Sequence, residues 1–110
     1  MSTAIFALRA KIHGGATSIP PPMVGAYVVA FSAADDLATA GKQILKKLEG
    51  MGFVVEEFGA EGAIVPLEDW DSYIAGRWPE FIDHFPAQAA VPDHLANGGV
   101  ILGPFAGFEA

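Results

Sequence analysis

The sequence predicts an α+β protein, and three patterns carry that expectation. Apolar residues first alternate with a period of two, next recur at helical spacing, and finally return to short strand-like runs broken by Gly and Pro. In order, these runs predict a ferredoxin-like βαββαβ plait with an extra N-terminal strand, its two helices packed on one face of a mainly antiparallel sheet. The 110 residues suit a single domain spanning 1–110, with no linker and no internal repeat.

Between Ala4 and Ile12 the even positions Ala4, Phe6, Leu8, Ala10 and Ile12 are all apolar, while Arg9 and Lys11 stand at odd ones. That is the pattern of a half-buried strand. His13-Gly14-Gly15 ends it, and the stretch to Met23, which includes Pro20-Pro21-Pro22, reads as loop because proline cannot donate to a ladder. Tyr27 to Phe31 is apolar on both parities, as in a strand covered on both faces. Ser32-Ala33-Ala34-Asp35 has capping-box spacing, with Ser32 as N-cap. The helix that follows carries Leu37, Gly41, Ile44, Leu45 and Leu48 on one stripe and turns Lys42, Lys46, Lys47 and Glu49 outward. Gly50 or Gly52 supplies the left-handed residue that ends it.

Phe53 to Phe58 reads as a strand, Gly59-Ala60-Glu61-Gly62 as a turn, and Ala63 to Val65 as a strand returning in a hairpin. Leu67, Trp70, Ile74, Trp78, Phe81, Ile82 and Phe85 keep helical spacing across Pro79, so the second helix kinks or breaks there, with a further break at Phe85-Pro86. Pro92 to Asn97 forms a short helical turn ended by Gly98. Gly99 to Gly103 is a last apolar strand, followed by a tail from Pro104 to Ala110. In the plait that strand lies at an edge. It has no blocking charge, so it needs cover from the N-terminal strand or from a partner subunit.

Hydrophobic residues make up 52% of the chain, a composition that collapses rather than staying disordered. Against 13 Asp and Glu stand 6 Lys and Arg, a net charge of −7, which argues against nucleic acid and acidic membrane surfaces as partners. Without cysteine the chain has no disulfide, thiolate metal site or thiol nucleophile. Arg9 and Lys11 follow the first apolar residues instead of preceding them, the reverse of a signal peptide, and no apolar run reaches the roughly 18 residues of a span. A cytoplasmic protein is the expectation.

Several constellations are candidates for chemistry. His13-Gly14-Gly15 has the small residues of an oxyanion loop, but no Gly-x-Ser-x-Gly elbow accompanies it, and a simple turn explains it as well. Asp83-His84 and Asp93-His94 repeat an acid-imidazole pair. Neighbours on a helix point about 100° apart, so these histidines fit helix ends better than a metal or a general base. Glu68-Asp69-Trp70-Asp71 puts negative charge where a helix start favours it, with a cation site as the lesser alternative. Pro20-Pro21-Pro22 lacks the basic neighbour of a polyproline ligand and reads as a connector.

Trp78 and Arg77 beside the kink could line a cleft between helix and sheet that takes an apolar or carboxylate-bearing molecule. Their plainer roles are a core aromatic and a surface ion pair. The candidate ligand-binding residues are thus Arg77, Trp78, His13 and His84, with no catalytic residue, metal or cofactor assigned. The expected function is a small acidic, non-catalytic binding or protein-interaction domain, homodimeric so as to cover its large apolar share. One alternative is a small dimeric plait enzyme whose apolar pocket gathers His13, Arg77 or His84. The other is an immunity-type inhibitor whose negative field captures a basic partner.

Overall fold

Two long strands carry the architecture. A computed structural model describes residues 4–14, 23–58 and 63–109. In it β1 (Ala4–Gly14) and β2 (Met23–Ala34) pair antiparallel from Ala4↔Ala34 to His13↔Gly25. The expected loop with Pro20-Pro21-Pro22 and the expected turn Gly59-Ala60-Glu61-Gly62 lie outside the described residues. β3 (Phe53–Phe58) and β4 (Ala63–Val65) both run antiparallel to β1, one beside each half of it. Along β2, β5 (Val100–Leu102) and β6 (Ala106–Glu109) do the same. The sheet therefore has four antiparallel rows with β1 and β2 in the middle.

This pairing differs from the plait. Phe53–Phe58 and Ala63–Val65 form no hairpin but travel in one direction along the same neighbour. The N-terminal strand is a central row, not an addition. The physical reason lies in its first half, where Ile5, Phe6, Ala7 and Leu8 are all buried, so both faces there are covered. Arg9 and Lys11 mark the half of β1 with one face open, so the half-buried pattern holds for only part of the strand.

Helices cover both faces of the sheet. On the even-numbered face, Leu8, Ala10, Ile12, Ala26, Val28 and Ala30 pack with Ile44 and Leu48 of α1 (Leu37–Gly50). On the odd-numbered face, Ile5, Ala7, Phe31 and Ile101 pack with Trp70 and Ile74 of α2 (Trp70–Arg77) and with Val91 and Leu95 of α3 (Val91–Leu95). The two helices expected on one face thus stand on opposite faces, as a strand apolar on both parities demands. Among the described residues no helix is long and apolar enough to cross a membrane.

Local chemistry sets the joints. β2 continues through Ser32, whose buried hydroxyl donates to Gln43 Oε1 on α1. The N-cap is therefore Asp36 rather than Ser32, its Oδ1 accepting from Thr39 N at 2.7 Å. Gly52, at φ 91°, turns the chain out of α1 into β3. A bulge in β3 between the partners of Lys11 and Ile12 lets Phe53, Val55 and Phe58 all pack toward α1.

The break at Pro79 occurs as expected. α2 stops at Arg77, Trp78 leaves helical geometry (φ −135°, ψ 64°), and Pro79–His84 continues as 3₁₀ turns. Because the helical period ends there, Phe81 and Ile82 are 46% and 50% exposed instead of joining the core stripe. Phe85 is extended, and α3 starts with Pro92 in its first turn, both as expected. The last strand does lie at an edge. It pairs with β2, and Gly103 N donating to Val29 O at 2.8 Å sets the ladder so that the Leu102 carbonyl faces outward. His84 Nε2 donates to that carbonyl at 3.1 Å, which partly caps the edge from within the chain.

Two glycines should respond oppositely to Ala. A Cβ at Gly41 in α1 would come no closer than 3.7 Å to Phe58, so Gly41→Ala should raise stability by about 0.5–1 kcal/mol in urea titration. A Cβ at Gly99 would lie 2.1 Å from the His94 carbonyl oxygen, so Gly99→Ala should cost about 1–3 kcal/mol. Asp36 gives a pH test. The Thr39 backbone N–H holds its carboxyl below the ordinary value of 3.8. Its stabilising contribution is complete above that value and fades as pH falls below it through the lowered native value. Asp36→Asn should remove this component from a curve of Tm against pH, and an acid limb identical to that of the parent would refute the cap.

Candidate functional site

The odd face of β2 presents Phe31, which no solvent reaches. Its ring meets those of Trp70, Tyr73, Trp78 and Phe85 edge-on, with centroids 5.0, 6.1, 6.0 and 6.1 Å away. Trp70 is also fully buried, and its Nε1 donates to the Pro86 carbonyl at 3.0 Å, which ties the end of the 3₁₀ segment back onto α2. Tyr73 and Trp78 are half-buried and form the rim of this cluster.

The rim carries Arg77. Its guanidinium lies 5.5 Å from the Tyr73 ring and 5.2 Å from the Trp78 ring, and Nη1 donates to Tyr73 Oη at 3.2 Å. Of the four candidate residues, Arg77 and Trp78 are thus in contact, at the border between helix and sheet. His84 stands next to Phe85, with ring centroids 5.2 Å apart, but its Nε2 is engaged by Leu102. His13 is on β1, opposite Gly25 and Val54, away from the other three. His94 is exposed on α3. Among the described residues, no group of three or more His, Asp or Glu side chains is placed to hold a metal ion.

No protein-family model, curated protein or solved structure matches this chain.

Beside the aromatic cluster, between α2 and the returning 3₁₀ segment, lies a cleft of about 450 Å³. Its apolar walls are Trp70, Ile74, Ile82 and Phe85, and Asp71 and Asp83 stand among its lining residues. Asp71 Oδ1 accepts from Gln88 N at 3.2 Å, which ties that exposed carboxylate to the segment beyond the cleft. The segment that builds the cleft is mostly acidic. Glu68, Asp69, Asp71, Glu80, Asp83 and Asp93 are all exposed, and Arg77 is the one cation between Pro66 and Gly98.

Sequence reasoning placed acid at the start of α2, aromatics along it and a cleft beside the kink, but gave that cleft Trp78 and Arg77, neither of which lines the recess between α2 and the 3₁₀ segment. Ile82 was assigned to the core by helical spacing, and the cleft exists because that spacing fails after Trp78. Arg9 was also missed as a candidate. Its guanidinium lies 5.2 Å from the Tyr27 ring on the same sheet face as the aromatic cluster. The signal was available, because Arg9 and Arg77 are the only arginines in the sequence.

The cluster predicts a graded response to truncation. Phe31→Ala should cost about 3–5 kcal/mol, since its ring is fully buried among four others. Trp78→Ala, at the half-buried rim, should cost appreciably less. Equal losses in urea denaturation would place Trp78 in the core rather than at a binding margin.

Proposed function

We propose that this protein is a small non-catalytic interaction domain that captures a basic protein partner through the cleft between α2 and the Pro79–His84 segment. The observation that carries this reading is the pairing of apolar walls with carboxylates in one recess on the acidic layer. A lysine or arginine side chain has the matching form, an apolar stem with a charged head. Its stem would lie along Ile74, Ile82 and Phe85, and its head would reach Asp83 and Asp71. Phe81, exposed beside Ile82, adds apolar contact next to the recess. The surrounding acids would speed encounter by long-range attraction.

The enzyme alternative called for His13, Arg77 or His84 in one apolar pocket. The cleft contains none of them, and the three stand on different elements. The inhibitor alternative is physically the same as the reading adopted here, with a basic enzyme as the captured partner.

An oligo-arginine peptide titrated calorimetrically tests the proposal. Saturable binding that weakens with added salt is expected, with about tenfold weaker affinity for Asp83→Asn and for Ile82→Ser, and no change for Lys42→Gln on the opposite face. Binding to both cleft variants as tight as to the parent would show the peptide held by net charge alone, and the cleft would lose its assigned role.

A further inference from the structure

A second feature of the odd-numbered face lies outside the cleft and is independent of it. The α2 and α3 layer covers only the half of the sheet that holds Ile5, Ala7 and Phe31. At the border of the open half stand Val29, packed partly against the aromatic cluster, and Arg9, its register partner on β1. Tyr27 follows Val29 on the same face, with Arg9 stacked on its ring. Across the border are Tyr73 and Trp78, with Arg77 stacked on both. A shelf at this border thus carries the apolar Val29 and two arginines over aromatic rings, Arg9 on the sheet side and Arg77 on the helix side.

The state of those arginines points to a ligand. The chain holds 13 carboxylate side chains, yet among the described residues neither Arg9 nor Arg77 forms an ion pair. The single ion pair found there joins Lys11 to Glu56 at 3.9 Å. Instead the Arg9 guanidinium lies over the Tyr27 ring and that of Arg77 over Tyr73 and Trp78, contacts that leave most of the five N–H donors of each unspent. Arg77 commits one of them, to Tyr73 Oη. A planar fork already oriented beside apolar surface is how proteins receive a carboxylate in bidentate fashion.

From this we propose that the shelf binds a small aromatic carboxylate, its ring on Val29 and against the Trp78 margin, its carboxylate held by Arg77 with Arg9 completing the charge on the far side. The aromatic body distinguishes this ligand from inorganic anions, because Val29 and the Trp78 ring offer apolar surface at this border.

Benzoate and inorganic phosphate, each titrated against the full chain by calorimetry and by tryptophan fluorescence, decide the matter. Benzoate should bind saturably and change the emission of Trp78, while the fully buried Trp70 contributes a constant background. Arg77→Gln and Arg9→Gln should each weaken benzoate about tenfold, and Trp78→Phe should abolish the fluorescence change while binding persists in the calorimeter. Far-ultraviolet circular dichroism and Tm of the two arginine variants establish that they remain folded, which exposed positions should permit. Phosphate binding as strong as benzoate would overturn the aromatic assignment. Benzoate binding indifferent to both arginine variants, or no saturable binding at millimolar concentration, would overturn the site. Neither result touches the oligo-arginine test of the cleft, whose residues Ile82 and Asp83 are left unaltered.

Discussion

The structure depends on covering both faces of one antiparallel ladder, β1 against β2. Both strands carry apolar side chains at odd and even positions over the half that holds Phe6 and Phe31, and an open sheet would leave one of those rows in water. Burying a large apolar side chain stabilises by about 1.5–3 kcal/mol relative to exposure, so a helical layer is needed on each side. α1 supplies one with Ala40, Ile44 and Leu48 at four-residue spacing, one stripe of a regular helix. The other side is met less regularly, by α2, a 3₁₀ segment and α3, all gathered around Phe31. That ring is the joint of the second layer, because each of its four aromatic neighbours belongs to the segment between Trp70 and Phe85.

Charge follows from the same requirement. With both interior spaces filled by apolar side chains, ionisable groups are driven to the outer surfaces, and the one buried polar side chain among the described residues is Ser32, satisfied by Gln43. The outer surfaces are not alike. α1 turns Lys42, Lys46 and Lys47 to solvent, while the segment from Pro66 to Gly98 turns out acids. The molecule is therefore electrically lopsided across its sheet, a property hidden in the net charge. The arginines are a third case: among the described residues each lies over aromatic rings and neither is in an ion pair with a carboxylate.

Most strands and helices were legible in the sequence, since they rest on local periodicity; β6, in the stretch from Pro104 to Ala110 expected as a tail, was not. β1 shows its alternation, α1 its stripe and its terminal Gly52, and the chain breaks where Pro79 and Pro86 require. What local pattern does not carry is which strand lies beside which. Phe53–Phe58 and Ala63–Val65, separated by a Gly-containing stretch, satisfy the rules for a hairpin and equally for two sections of one row. The choice is made by β1, whose whole edge is available to both. The cap was displaced for a similar reason. Ser32 has the correct residue type, but pairing with Val100 keeps it in the ladder and passes the role to Asp36. Of the candidate site residues, Arg77 and Trp78 were neighbours in sequence and in space, whereas contact between Arg9 and Tyr27 depends on the register of two strands.

Pro79 links this local chemistry to the surface on which the proposed cleft is built. A helix continuing past Arg77 would carry Phe81, Ile82 and Phe85 along one straight stripe, and all three would compete for the same face of the sheet. Pro79 has no N–H to donate and its ring crowds the carbonyl four residues earlier, so the helix cannot propagate through it. The tighter 3₁₀ turns that follow bring the chain back across α2, Trp70 Nε1 grips the Pro86 carbonyl, and Phe85 alone of the three reaches the core. Ile82 is left on the wall of the space between the outgoing helix and the returning segment, with Asp83 beside it. The recess is thus a consequence of a helix that stops early and folds back. A residue able to continue the helix at position 79 would favour burying Ile82 and closing the space, which makes the proline a determinant of the site although it touches nothing bound there.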